Sequence, residues 1–191
     1  MESKAPKIIT LLVLVSVHAL WLLNAKSYVT PELIFPVWLL TNAQTYVSEI
    51  NSFYPPTLFY IISILNKLTN DLLLSANLVQ ISIVLIIDSM LFYYLNKKFT
   101  FKFAVIGAFF YIPLQVFFRG NYLWFDIATI PFLAASFFYF ERYIKNLESK
   151  NLLISSISLS LGYLFKVTVF WIYILYFFWL VYLNFTGKKS K

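Results

Sequence analysis

Residues 72–95 read LLLSANLVQISIVLIIDSMLFYYL, a run in which Asp88 is the sole charge. A helix over this stretch is long enough to cross the hydrocarbon core, for which about 20 apolar residues suffice. Inside lipid every backbone N–H and C=O must be satisfied within its own segment, so the run reads as a transmembrane helix. Working outward, Ile8–Ala25, Phe101–Phe118, Tyr122–Phe140 and Leu152–Phe185 have the same character, and the short polar links between them carry most of the lysines. The fold class that follows is all-α, a polytopic transmembrane helical bundle forming a single domain over 1–191. Composition agrees: 61% of residues are hydrophobic, 12% are charged and the mean hydropathy is +0.77, far from a soluble-domain norm.

The first run follows Lys4 and Lys7, as in a secretory signal, but it ends in Trp21-Leu22-Leu23-Asn24-Ala25-Lys26 without an A-x-A cleavage pattern. We therefore expect it to be retained as a span. The chain has no cysteine, which excludes disulfides and thiolate metal sites. Its net charge of +7 is spread along the links instead of clustering, which argues against nucleic acid as a partner. Tyrosines and tryptophans near the ends of the runs, such as Trp21, Trp38 and Trp124, suit the headgroup belts.

Eleven of the 15 basic residues fall at the N-terminus, in 96–102, in 141–150 and at the C-terminus. The positive-inside rule makes that side cytoplasmic. Parity then keeps 26–71 outside, so Thr57–Leu68 cannot be a crossing and reads as an interfacial or re-entrant helix. Leu33–Leu40 reads likewise as a second surface helix. Leu152–Phe185, at 34 residues, would extend about 51 Å as one helix, against a core of about 30 Å, and is expected to break at Lys166-Val167-Thr168. The count is about six crossings, with both termini cytoplasmic.

The outer face gathers the charges that topology does not explain: Glu32 and Glu49 in the long loop, Arg119, Asp126 and Lys166, with His18 in the outer half of the first span. Ionisable groups in or at the membrane are functional candidates. Asp88 stands apart, deeper in its span and nearer the cytoplasmic end, and reads as a hydrogen-bonded packing residue. Asn184-Phe185-Thr186 matches a glycosylation sequon, but its cytoplasmic placement argues against use.

Three features in order carry a family resemblance: Tyr54-Pro55-Pro56-Thr57-Leu58-Phe59-Tyr60 closing the loop, Trp124-Phe125-Asp126-Ile127 opening the fourth span, and Leu161-Gly162-Tyr163-Leu164-Phe165-Lys166 closing the fifth. The set resembles the N-terminal half of GT-C-fold polytopic glycosyltransferases, such as protein O-mannosyltransferases and the aminoarabinose transferase of lipid A. The resemblance implies inverting transfer of a sugar from a polyprenyl-phosphate donor to an acceptor hydroxyl at the outer face. Glu32, and after it Glu49, then takes the role of general base, in positions where the family has Asp. Lys166 and Arg119 would stabilise the departing phosphate, and Asp126 would position the acceptor, orient the base or hold Lys166. Tyr54, Pro55, Pro56 and Tyr60 would border the substrate. A divalent metal is compatible with this chemistry, though no metal ligand is assigned. Membrane lipid and the polyprenyl-phosphate sugar donor are the implied partners. Because the resemblance covers only a half, a truncated enzyme or one half of a split enzyme, completed by a second membrane subunit, is expected. The alternatives are a noncatalytic integral membrane subunit or scaffold and, with less support, a small transporter: no internal repeat is visible.

Overall fold

The computed structural model describes residues 4–24, 30–42, 55–117 and 122–185, and among them the chain is all-α. Eight α-helices run in chain order: α1 (Lys4–Asn24), α2 (Pro31–Thr41), α3 (Thr57–Thr69), α4 (Leu72–Lys98), α5 (Phe101–Phe117), α6 (Phe125–Asn146), α7 (Ser149–Tyr163) and α8 (Phe170–Phe185). Three helical stretches are long and apolar enough to cross a membrane: Ala5–Asn24, Leu72–Lys98 and Val167–Phe185. The others are shorter or carry more charge, and α6 runs beyond the apolar segment to include Glu141, Arg142 and Lys145.

Local signals explain the boundaries. Pro31 opens α2, where a missing N–H costs nothing. α3 has 13 residues, about 20 Å of helix, too short to cross. It ends at Asn70, whose φ of 54° lies in the left-handed region that asparagine tolerates. Asp71 then caps α4 by accepting from the Leu74 N–H at 2.9 Å, while its own N–H donates to the Thr69 hydroxyl at 3.2 Å. α3 is thereby joined to α4 through a two-residue turn whose polar groups are satisfied. The last apolar run breaks at Leu164–Lys166, and a single 3₁₀ turn over Val167–Val169 leads into α8. Thr186 lies outside the described residues.

The main core joins α2 and α3 to α4 and α6 through Leu33, Val37, Phe59, Ile62, Val84 and Phe125. Thr41 adds a polar tie, accepting from the Asn66 side-chain amide at 3.2 Å and lying 3.2 Å from the Ser63 hydroxyl. α7 packs along α6 with small residues at the contact. The buried Ser155 hydroxyl donates to the Ser136 carbonyl at 2.8 Å, and Gly162 comes so close to α6 that an added Cβ would stand 3.4 Å from the Cβ of Phe132. α8 is attached edgewise: Tyr176 stacks flat on Phe140 at 3.8 Å, and the Tyr173 and Ser160 hydroxyls pair at 2.5 Å.

One sequence reading is corrected here. His18 belongs with Asp88, not with the charges of the outer face, whereas Asp88 is buried and hydrogen-bonded as the sequence suggested. The His18 Nδ1 lies 2.7 Å from Asp88 Oδ2, its Nε2 lies 3.3 Å from Gln115 Oε1, and all three side chains are buried. Counting helical rise from Lys98 and from Phe101 puts this cluster about 15–21 Å from that end of the bundle, near the middle of a core of about 30 Å. The sequence reading measured depth from the ends of each run separately. α4 extends well beyond α1 at the Asp126 end, so residues at different sequence distances from their helix ends share one level.

At the opposite end Glu141 bridges α4 and α6. It accepts from Lys145 at 2.7 Å and from Lys98. These bonds, Lys145 first, hold its carboxyl below the ordinary range. The lysine-rich links thus share one end of the bundle. Because the chain has no cysteine, single-cysteine variants report topology without a background. Lys98→Cys and Ser149→Cys are expected to react with an impermeant maleimide only from the cytoplasmic side of intact cells, and Asn70→Cys only from outside. Labelling of position 98 from outside would overturn the orientation.

Candidate functional site

Asp126 stands in the first turn of α6, where the positive end of the helix dipole favours a carboxylate. Its neighbour Phe125 determines where that turn lies. Phe125 is fully buried and meets Phe59 of α3 edge-on at 5.2 Å and Trp124 at 5.3 Å, so the start of α6 is wedged against α3. Lys166 comes from the break after α7. Its backbone is extended, its N–H donates to the Gly162 carbonyl at 3.1 Å, and the preceding Phe165 is stacked on Phe132 of α6 at 5.2 Å. Two aromatic anchors therefore bring residues 40 positions apart into an ion pair between Lys166 Nζ and Asp126 Oδ1.

The pair is uneven in its exposure, with 61% of the Asp126 side chain exposed against 23% for Lys166. Exposed ion pairs contribute about 0.2–1 kcal/mol, so this one adds little stability and opens readily for a better anion. Beside it runs a groove of about 690 Å³ between α3, α4 and α6. Apart from Ser82 its lining is apolar, and Ala128, Phe132 and Phe165 place one end of it next to the ion pair.

The remaining expected site residues are less gathered. Glu32 is exposed in the first turn of α2 and makes no ion pair among the described residues. Pro55 and Pro56 are half-buried where α3 begins, and the exposed Tyr60 donates its N–H to the Pro56 carbonyl at 3.0 Å. Glu49, Tyr54 and Arg119 lie outside the described residues. Among the described residues no three His, Cys, Asp or Glu side chains gather as metal ligands. Sequence reading expected a groove between spans for a lipid carrier but could not assign its lining, because that depends on how helices are rotated about their axes.

A model of the dolichyl-phosphate-mannose-protein mannosyltransferase family matches residues 54–191. The chain belongs to that family. No curated protein and no solved structure matches the chain. Within this mannosyltransferase-family chain, the matched region contains Asp126, Lys166 and the whole groove, whereas Glu32 and Glu49 precede it.

The geometry makes the ion pair depend on close approach of α7 to α6. With cysteines at 126 and 166, a short bis-maleimide is expected to crosslink α6 to the α7–α8 break. Adding Gly162→Leu, which forces the helices apart at about 1–3 kcal/mol of strain, is expected to reduce the crosslinked fraction sharply. Undiminished crosslinking would show that the approach at Gly162 does not hold the pair together.

Proposed function

We propose that the chain is a glycosyltransferase component that takes its sugar from a polyprenyl-phosphate donor at the membrane face bearing Asp126 and Lys166. The observation that carries this reading is the ion pair at the end of an apolar groove, because such a donor is a long apolar tail ending in an anionic phosphate. The tail occupies the groove along Leu58, Ile61, Ile83, Ala128 and Phe132, and the phosphate reaches Lys166. On arrival the phosphate replaces Asp126 as the lysine's partner, at little cost since the exposed pair is weak.

Lys166 then acts where charge develops. As the bond between the sugar's anomeric carbon and the phosphate oxygen breaks, negative charge grows on the leaving phosphate, and a fixed cation there lowers the barrier. Asp126, freed from Lys166 but held by Phe125 and the first turn of α6, is placed to orient the acceptor. Glu32 is the base of this scheme: its exposed carboxylate takes the proton of the attacking hydroxyl.

The test is sugar transfer from polyprenyl-phosphomannose by protein in liposomes. Lys166→Gln is expected to lower kcat by about 10²–10³-fold, the scale of one lost charge-stabilising donor, with Lys166→Arg recovering part of it. Glu32→Gln is expected to lower transfer by roughly 10²–10⁴-fold. Equal transfer by wild type and Glu32→Gln would remove Glu32 as the base. No transfer by wild type would favour the noncatalytic subunit reading.

A further inference from the structure

A second groove, of about 600 Å³, lies between α4 and α6 toward the opposite end of the bundle. Its floor is formed by Ile87, Leu91, Ala134 and Ala135, where the two alanines leave room that larger side chains would fill. Toward its outer end stand Tyr94, Phe138 and Arg142. Two cations meet over Phe138: Lys97 Nζ lies 4.9 Å from the ring centre and the Arg142 guanidinium carbon 5.6 Å from it.

We propose that this groove binds one anionic phospholipid, with an acyl chain along the alanine floor and the phosphate between Lys97 and Arg142. Length supports this assignment. From Ile130 to Arg142 the groove follows α6 for about 18 Å, close to the roughly 15 Å half-thickness of a bilayer core, so it extends from a headgroup region to the midplane. Charge supports it independently. Among the described residues at this end, Glu141 is engaged by Lys98 and Lys145, and Glu148 accepts from the Asn151 amide at 3.0 Å. Neither acid pairs with Lys97 or Arg142. Two cations beside one ring, engaged by neither acid, offer a phosphate two attractions. Cations near a membrane surface each favour anionic lipid by about fivefold in affinity. The two grooves adjoin at Pro131, which lines both, but their charged ends are distinct, since these cations stand at the other end of α4 and α6 from Lys166.

Native mass spectrometry of the purified chain, supplied with equimolar phosphatidylglycerol and phosphatidylcholine of identical acyl chains, tests the proposal. One tightly retained phosphatidylglycerol is expected on the wild type. The Lys97→Gln/Arg142→Gln variant is expected to lose about 25-fold of that preference, following the surface contribution of two cations. Each single variant is expected to lose about fivefold, which keeps the test open if the double variant is not recovered folded. Lys150→Gln, removing a cation elsewhere at the same end, is expected to leave the preference intact. Ala135→Trp, filling the floor, is expected to reduce retention of both lipids. The proposal is overturned if the wild type shows no preference, if Lys150→Gln lowers it as much as Lys97→Gln, or if equimolar polyprenyl phosphate displaces the bound phosphatidylglycerol.

Discussion

The edge-on contact of Phe125 with Phe59 is the interaction on which the arrangement at the Asp126 end depends. α3 is too short to cross a bilayer and its own ends cannot hold it in place, so it needs lateral packing against helices that do cross. Phe59 and Phe125, both fully buried, provide that packing. Their contact links this short helix to the first turn of α6 and aligns Asp126 with Lys166. α2 adds Leu33 and Val37 to the same core, so the loop that the sequence places at the surface is folded down onto the bundle.

Charge is used differently at different depths. At the two ends, ion pairs are exposed and weak, which suits positions where ligands or headgroups compete for the same cations. Deep in the bundle polar groups pair with one another, His18 with Asp88 and the Gln115 Oε1, and Ser136 with Ser155, while the buried Gln115 amide nitrogen has no hydrogen-bond partner among the described residues. A polar group left unpaired there costs several times as much as an exposed pair contributes. Hydrogen bonding at the centre therefore selects which helices pack together, and charge at the ends remains free for binding.

Much of the helix layout was legible in the chain because the bilayer imposes a strict rule. An apolar run must be long enough to cross, and a run of 34 residues must break, as Leu152–Phe185 does beside Lys166. That Thr57–Thr69 forms a helix too short to cross followed from the same rule. The site was legible only to the level of a shared face. Asp126 and Lys166 could be assigned to the same end, but their contact depends on Gly162 and on the stacking of Phe165, which no periodicity reveals. The His18 and Asp88 pairing was hidden by stagger, since depth judged from each helix end ignores how far neighbouring helices slide past one another. Both grooves depend on helix rotation, and Ala134, Ala135 and Ala128 carry no signal in sequence that separates a groove floor from an ordinary packed contact.

The buried histidine also bears on how the chain is made. His18 finds its carboxylate 70 residues later and its amide 97 residues later. At roughly 5–20 residues per second, α1 waits about 4–14 s for Asp88 to be synthesised and somewhat longer for Gln115. During that interval an imidazole in the first span has no partner from its own chain. The insertion machinery, or water at its lateral opening, must accommodate it until α4 arrives. The first helix is thus poorly suited to drift freely into lipid and well suited to be held at the exit for assembly, which makes the order of synthesis part of the fold's design.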